Sequence, residues 1–400
     1  MPEPRRRLNV LVVTAWSPVR RGDADSLVLA HHLRELAPHH DVTILSADTW
    51  EGRDTVAGPL PESVALRGFG AQALGTADGI VRRVRGLLRG VPAHVLWVER
   101  PELMTAYREA LAATPRPDVV YLFAWGTAQL AVEAAAAGVP AVHMPVDGWS
   151  HGFANRSLPG WRSLLEVGQT WAVRRHEAQH YPRCAAIAVV APAEAERLSA
   201  QVPSAHVEVV VNGVDASQQV AEPPQGDVVA FHGDYSTRPN QEAAAVAATT
   251  VMPLVRRRRP QAELHLIGRR VGPEVAALAG PGVRVVGEVD DVGLALSAAR
   301  AYVAPMVSGA GIKNKVLEAL ASGLPVAATS RAADGIEAGP GLVVDDDPAA
   351  LAEVLAGWLD APEDAAALGA AARERIISLQ SWTHSALALE QLWLRAAAPR

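Results

Sequence analysis

The strongest chemical signal in the sequence is one run in the second half of the chain, AYVAPMVSGAGIKNKVLEALASGLPVAAT at 301–329. A short apolar strand is predicted to end at Pro305, and a helix is predicted to end before Gly323. Between them lies a loop of small residues, 308–311, in which glycine lets the backbone approach a ligand closely. A strand, a glycine-rich loop and a helix in this order are typical of a phosphate-binding site.

The amino end of this helix offers hydrogen-bond donors to an anion. Free backbone N–H groups and a partial positive charge are expected around Gly309, Gly311 and Ile312. Lys313 and Lys315 add cationic donors at the mouth of the loop. We therefore predict that these five residues bind phosphate groups, and that Lys315 is also catalytic because it would neutralise a leaving phosphate.

A carboxylate follows on the same helix face. Glu318 lies three residues after Lys315, which places the two side chains side by side. A carboxylate accepts two hydrogen bonds, as the neighbouring hydroxyls of a ribose require. The alternative is an ordinary strand–helix turn with two surface lysines, but the joint occurrence of loop, lysines and glutamate favours a nucleotide site.

Short apolar strands alternate with longer helical patterns in two successive sets. The first set of strands includes 8–16, 41–47 and 140–147, and the second begins at 227–233. This rhythm predicts an α/β protein with two parallel sheets, each covered by helices on both faces. Ligands of such sheets bind beyond the carboxyl ends of the strands, so we expect the site in a cleft between two Rossmann-like, doubly wound domains.

The bulk composition excludes several classes of protein. The 400 residues carry a formal net charge of -6, which argues against a general affinity for nucleic acid. Cys184 is the sole cysteine, which excludes an intramolecular disulfide and fits a cytoplasmic location. No apolar run approaches the ~20 residues of a membrane span. Arginine runs at 5–7, 82–89 and 256–259 are interpreted as solvated faces or as peripheral docking sites for anionic lipid.

The run GIKNKVLEALASGLPV resembles the donor-site motif of family 4 glycosyltransferases (glycosyltransferase group 1), which have the GT-B fold. It is most similar to the branch in which a G-I-x-N-K-V-L-E-A pattern replaces a first glutamate. Asp147-Gly148-Trp149-Ser150 resembles a stretch of the sugar transferases associated with exopolysaccharide and exosortase systems, which we take as the nearest branch. The common family pattern has two glutamates flanking seven residues, and only the second is present here, as Glu318. The region of the first, which approaches the donor sugar in the family, reads Ser308-Gly309-Ala310.

A second segment, FHGDYSTRPNQEAA at 231–244, resembles the start of the C-terminal domain of the family. The resemblance makes Gly233 and Arg238 candidates for contact with the donor phosphates, and Asn240 is the predicted cap of the following helix. A solvated loop arginine is an equal alternative for Arg238.

Three more segments of the second half are similar to the family. VVGEVDDV resembles the loop along the nucleobase, so Gly287 and Val289 are candidates for backbone contacts with the base. VVNGVD at 210–215 matches the interdomain junction. A helical pattern over 364–397 contains SWTHSALALEQLW at 381–393, which resembles the terminal helix that crosses back to the first domain.

The first half of the chain supplies fewer matches. The loop after the first strand stands where the family often has a Gly-Gly loop that touches acceptor and phosphate, so Arg21, Gly22 and Asp23 are the acceptor-side candidates. His143 and Asp147 are the remaining catalytic candidates, because this strand end often carries a His or Asp near the reacting sugar in the family. A buried core histidine is the alternative for His143.

The resemblance implies a GT-B enzyme that transfers a sugar with retention of configuration and without a metal. Residues 1–212 are the predicted acceptor-side domain, 213–380 the nucleotide-sugar domain, and 381–400 the terminal helix. The implied donor is a nucleotide-diphosphate sugar, and the implied acceptor is a hydroxyl group of a glycan, a lipid-linked sugar or a small natural product. No cofactor is expected, and the donor's own phosphate oxygen is expected to take the acceptor proton.

Three other functions compete with sugar transfer. An epimerase or hydrolase of nucleotide sugars would use the same fold, and a non-catalytic partner protein could have kept it without the first glutamate. Retention of Lys315 and Glu318 argues against the partner protein. A nicotinamide-dependent enzyme is disfavoured because the first strand leads into TAWSPVRRGD rather than G-x-G-x-x-G.

Overall fold

The computed structural model describes most of the 400 residues. The described ranges are 6–19, 24–49, 52–55, 57–70, 81, 84–86, 88–146, 162–214, 226–309, 313–336 and 339–398. Contacts between Cα atoms divide the chain into two compact units. Unit 1 comprises Met1–Val211 together with Trp382–Arg400, and unit 2 comprises Asn212–Ser381.

Unit 1 contains a seven-stranded sheet in the order β5-β2-β1-β6-β7-β8-β9, and every adjacent pair is parallel. A two-residue antiparallel pair, β3–β4, stands apart from it. The strands are β1 (Asn9–Thr14), β2 (Asp41–Ser46), β3 (Asp54–Thr55), β4 (Gly58–Pro59), β5 (Ala65–Gly68), β6 (Val119–Phe123), β7 (Ala141–Val146), β8 (Ala186–Val189) and β9 (Val207–Val209). The helices are α1 (Ala24–Leu36), α2 (Val95–Val98), α3 (Pro101–Leu111), α4 (Ala131–Ala136), α5 (Arg162–His180) and α6 (Pro192–Gln201).

The central strands of unit 1 are apolar on both faces. All five residues of β6, VVYLF, are buried, and all six of β7, AVHMPV, are buried. Continuous burial is expected where helices cover both faces of a parallel sheet, whereas a sheet with one wet face would show alternation. The carboxyl ends of these strands therefore emerge at one edge of a closed core, which is where their loops can carry functional residues.

Unit 2 contains a six-stranded parallel sheet in the order β12-β11-β10-β13-β14-β15. The strands are β10 (Val228–His232), β11 (Glu263–Ile267), β12 (Val283–Gly287), β13 (Ala301–Ala304), β14 (Val326–Ala328) and β15 (Leu342–Val344). The helices are α7 (Arg238–Val246), which continues through a π-helical turn at Ala247–Val251 into α8 (Met252–Arg258), then α9 (Pro273–Ala276), α10 (Val292–Ser297), α11 (Asn314–Ala321), α12 (Pro348–Asp360) and α13 (Pro362–Leu379). The order reverses between β10 and β13, and ligands of such sheets usually bind in a crevice beyond the carboxyl ends of the strands at this reversal.

The last helix, α14 (Trp382–Ala396), belongs to unit 1 and packs on the rest of that unit through polar as well as apolar contacts. His32 Nε2 lies 3.0 Å from Ser385 Oγ, and His40 Nε2 lies 2.9 Å from Glu390 Oε1. The rings of His31 and Trp382 are stacked at 4.2 Å. These groups are buried, so they specify where the helix docks instead of merely covering apolar surface.

Among the helices that the structure describes, none is both long and apolar enough to cross a membrane. A search of the same residues finds no group of three or more His, Cys, Asp or Glu side chains arranged to hold a metal ion.

Candidate functional site

Most of the described residues that are predicted to bind a donor lie around the carboxyl ends of β10 and β13, which are adjacent strands. β10 ends at His232 and is followed by Gly233, while β13 leads through the loop with Gly309 to the amino end of α11. The two loops therefore lie side by side, and both approach the first turns of α11. Gly311 and Ile312, also predicted to bind phosphate, lie outside the described residues.

Glu318 points from α11 to the end of β10. Its Oε2 lies 2.7 Å from His232 Nε2. Burial opposes the ionisation of Glu318, but the hydrogen bond to His232 and the nearby charges of His232 and Lys315 outweigh it and lower the pKa of this carboxyl group. Glu318 is therefore an ionised acceptor whose side chain is one-third exposed, at 32%.

Lys315 crosses from the same helix to the first turn of α7. Its Nζ donates a hydrogen bond to Asn240 Oδ1 and lies 5.0 Å from the centroid of the Phe231 ring. Burial lowers the pKa of Lys315 to about 7; Lys313 acts in the same direction, and Glu318 opposes both. An ammonium group held in such a position gains stability when an anion arrives, because the anion compensates for the lost hydration.

The backbone between these side chains leaves no room for larger residues. A Cβ added to Gly233 would lie 2.8 Å from Lys315 Nζ and 2.9 Å from Asn240 Nδ2. A Cβ at Gly268, whose φ is +147°, would overlap the carbonyl oxygen of Gly233. Glycine at Gly268 is thus required for the close approach of the segments that follow β10 and β11, whereas a Cβ at Gly233 would displace the ends of the Lys315 and Asn240 side chains.

We expect Gly268→Ala to lower the free energy of unfolding by at least about 2 kcal/mol, because backbone strain and the overlap with Gly233 act together. Gly357→Ala, in α12, is the matched control: its Cβ would meet no atom within 4 Å. Alanine there should stabilise the helix by about 0.5–1 kcal/mol. Thermal and urea unfolding would measure both changes, and equal effects would contradict the steric argument.

The described part of the loop after β13, residues 305–309, is anchored from two sides. Gly309 has a φ of +102°, a backbone conformation that favours glycine, and a Cβ there would lie 3.4 Å from Pro239 Cβ. Arg331 donates a hydrogen bond of 3.3 Å to its carbonyl oxygen. Lys313, the residue before α11, is buried. The loop thus packs against the start of α7.

Arg238 is engaged within its own helix. Its Nε donates to Glu242 Oε1 at 2.6 Å, and Glu242 Oε2 accepts a hydrogen bond of 2.5 Å from Ser308 Oγ. Both hydrogen bonds lower the pKa of Glu242, and the bond from Ser308 has the larger effect. The side chain of Arg238 is 76% exposed, so the guanidinium group is solvated as well as paired with Glu242. Its contact with the donor phosphates stays a prediction.

The predicted base-binding segment lies at the end of β12. Gly287 has a φ of +85°, and its carbonyl oxygen accepts a 2.7 Å hydrogen bond from the N–H of Gly268. Val289 is half-buried just beyond the strand. The roles of Gly287 and Val289 in base contact stay predictions.

His143 lies in unit 1, in the core of its sheet. It is 1% exposed, and its Nδ1 donates a 2.9 Å hydrogen bond to the carbonyl oxygen of Leu122. Burial lowers its pKa to about 4, against the raising effect of this bond, so the ring is neutral at pH 7. Its catalytic role stays a prediction. The other first-unit candidates, Arg21, Gly22, Asp23 and Asp147, lie outside the described ranges.

Two residues of the site were missed in the sequence. His232 was not predicted to take part, and Asn240 was predicted only as a helix cap. The helix begins at Arg238 with Thr237 before it, so the predicted capping role of Asn240 is wrong. The Asn240 side chain instead accepts a hydrogen bond from Lys315 and donates one of 2.8 Å to the Asp234 carbonyl oxygen.

The amino-acid composition nevertheless contains a signal for the site. The chain has two lysines, Lys313 and Lys315, and all its other basic side chains except histidines are arginines. Lysine is the cation whose pKa shifts readily on burial.

Two models of known protein families match the sequence of this chain. The model described as glycosyl transferases group 1 matches residues 226–361, and the model described as glycosyl transferase 4-like domain matches residues 26–213. Together they span most of the chain. The protein therefore belongs to the group 1 (family 4) glycosyltransferases and is a glycosyltransferase. No curated protein matches its sequence.

Solved structures confirm the expected GT-B fold. Sucrose-phosphate synthase from Thermosynechococcus elongatus aligns with a TM-score of 0.70 and 18% identity, over 98% of this chain and 100% of that one. Anabaena Alr3699/HepE in complex with UDP aligns with a TM-score of 0.65 and 11% identity, over 97% and 100%. A glycosyltransferase from Rickettsia africae ESF-5 gives 0.64 and 11%, over 98% and 100%. At these identities the likeness concerns the fold alone.

Proposed function

We propose that the protein transfers a sugar from a nucleotide-diphosphate sugar to a hydroxyl acceptor, with the donor bound in unit 2. The carrying observation is that Lys315 and Glu318 project from one turn of α11 to two separate anchors, Asn240 and His232. A cationic group and an ionised carboxylate fixed side by side suit the diphosphate and the ribose of one ligand. The family membership and the UDP in the Anabaena complex support this assignment.

In the proposed reaction, the amino end of α11 and Lys315 stabilise the charge that develops on the leaving diphosphate. Because these groups are in place before the donor arrives, little reorganisation accompanies bond cleavage. Transfer is proposed to retain the anomeric configuration, and a donor phosphate oxygen is proposed to take the acceptor proton; the resemblance to the family supports both. The step as proposed uses no metal.

The first unit is proposed to serve the acceptor. The roles of His143 and Asp147 near the reacting sugar, and of Arg21, Gly22 and Asp23 at the acceptor, belong to this proposal. Product analysis separates transfer from the related chemistry of epimerases and hydrolases. If the enzyme released free sugar or an epimer from a bound donor, and formed no glycoside with any hydroxyl acceptor offered, sugar transfer would be the wrong reaction.

We expect one of a panel of UDP-, GDP-, ADP- and dTDP-sugars to raise the thermal unfolding midpoint. A ligand at 100 times its Kd stabilises the folded state by about 2.7 kcal/mol. Glu318→Ala should abolish the shift, whereas Glu353→Ala should keep it, because Glu353 is exposed on α12, where it forms an ion pair with Arg258. A panel without any binder, or an unchanged shift in Glu318→Ala, would contradict the assigned donor site.

A further inference from the structure

We propose that His232 is a positioning residue for the nucleoside: its hydrogen bond aims the Glu318 carboxylate at the ribose hydroxyls, so that the protein selects ribonucleotide donors over 2′-deoxyribonucleotide donors. The inference rests on the function proposed above and adds to it a residue and a selectivity. No motif in the sequence marks His232, and its relevance comes from its position in the fold.

The side chains of His232 and Glu318 differ in how far they are buried. His232 has 7% of its side chain exposed, while Glu318 has 32% exposed. The imidazole is thus the interior anchor, and the carboxylate is the member that a ligand can reach. One carboxylate oxygen, Oε2, is bound to His232, and within the described residues no hydrogen bond is made to Oε1. The pair therefore offers an oriented acceptor to the crevice.

The imidazole ring packs against the neighbouring strand. It meets the Tyr302 ring edge to face at 5.5 Å, and the backbone N–H of His232 donates a 3.2 Å hydrogen bond to the Tyr302 hydroxyl oxygen. Tyr302 lies on the adjacent strand β13 and is fully buried. Lys315, the cationic neighbour of Glu318, donates its hydrogen bond to Asn240. The orientation of the Glu318 carboxylate therefore depends on His232 more than on any other described group.

Ribose recognition follows from this arrangement. Two adjacent hydroxyls match the two oxygens of a carboxylate, but only when the carboxylate is fixed in one plane. A hydrogen bond to a charged group contributes about 1.5–3 kcal/mol, which corresponds to roughly a 10–100-fold change in affinity. Removal of the 2′-hydroxyl should cost that factor in the parent protein and much less once the carboxylate can rotate.

The experiment compares His232→Leu and His232→Gln with the parent. Leucine removes the donor while keeping an apolar group of similar volume, and glutamine retains a donor at nearly the position of Nε2. Calorimetry would measure binding of UDP, GDP and ADP and of the 2′-deoxy form of each. We expect the parent to prefer the ribose form of its nucleotide about 10–100-fold. In His232→Leu this ratio should fall towards one, and in His232→Gln it should be largely restored.

Binding of the 2′-deoxy form in His232→Leu serves as the internal control, because it shows that the site has folded. A double variant, His232→Leu with Glu318→Ala, should bind no more weakly than Glu318→Ala alone. In kinetic assays the His232→Leu change should appear in KM for the donor with kcat nearly unchanged, as expected for a residue that positions the nucleoside and does not touch the reacting atoms.

The two proposals fail in different ways. If the parent bound no nucleoside diphosphate, the proposed donor site and the role of His232 would both be overturned. If the parent bound one but did not discriminate against its 2′-deoxy form, or if His232→Leu kept the full discrimination, only the role of His232 would be overturned. If His232→Leu lost the preference for the ribose form and His232→Gln did not restore it, a hydrogen-bonding role of His232 would likewise be contradicted.

Discussion

Lys315→Ala is expected to weaken binding of the nucleotide-diphosphate sugar by about 10–100-fold and to lower the rate of transfer by at least as much, because a charged hydrogen bond to the leaving group contributes about 1.5–3 kcal/mol. The loss should exceed that of Arg238→Ala, because the Arg238 side chain is largely exposed and its Nε is bound to Glu242. Calorimetry with the donor and steady-state kinetics would measure the two effects separately.

The same residue predicts a pH dependence with a definite sign. The donor requires the ammonium form, and burial lowers the pKa of Lys315 to about 7 in the free protein. Affinity for a nucleotide-diphosphate sugar should therefore be maximal below pH 7. Above it, affinity should fall by up to tenfold per pH unit until the raised pKa of the bound state is reached. Lys315→Ala should show no such decline between pH 7 and 9.

The composition makes this titration directly observable. Because Lys313 and Lys315 are the two lysines of the chain, ¹³C reductive methylation labels these amines and the amino terminus alone. Nuclear magnetic resonance would then follow each titration, with Lys315→Ala assigning the signal. A Lys315 signal that titrated above pH 10 in the free protein, or donor binding unaffected by Lys315→Ala, would contradict the assigned role.

Glu390→Ala is expected to lower the free energy of unfolding by about 1–3 kcal/mol, as the loss of the acceptor of a buried hydrogen bond does. The side chains of His40 and Glu390 are 0% and 2% exposed. The N–H of Leu8 donates to His40 Nδ1 at 3.2 Å, so Nε2 carries the proton that binds Glu390. Alanine would leave that donor buried without its acceptor and would open space between α14 and unit 1.

Glu208→Ala is the matched control for this experiment. Glu208 also binds α14, through Arg395, but the side chains of this pair are 32% and 54% exposed. Exposed pairs contribute about 0–1 kcal/mol because water and salt screen them. Urea denaturation would measure both losses, and similar values would show that burial of the His40–Glu390 pair carries no special weight. Glu390→Gln, which keeps an acceptor, should lose less than Glu390→Ala.

The position of α14 shows where local reasoning reached its limit. The helical pattern over 364–397 predicts one long helix, but the structure has two, α13 and α14, separated at residues 380–381. There the N–H of Val214 donates a 2.7 Å hydrogen bond to the carbonyl oxygen of Gln380, and Val214 bridges Ser381. A contact with a segment so distant in sequence has no local signature, so the break could not be read from periodicity.

The sequence by itself determined the features that depend on residues close together along the chain. Continuous apolar strands predicted two covered parallel sheets, and the run at 301–329 predicted a glycine loop opening a helix with Lys315 and Glu318 on one face. These inferences needed nothing beyond the periods of strand and helix. The family resemblance followed from the same local run.

Only the tertiary structure decided which groups those side chains meet. Glu318 binds His232, 86 residues earlier, and Lys315 binds Asn240, 75 residues earlier. The charge state of each depends on these partners and on burial, which are set when β10 and β13 pair and bring α7 and α11 together. Such contacts arise from the packing of a whole sheet, and no short segment encodes them.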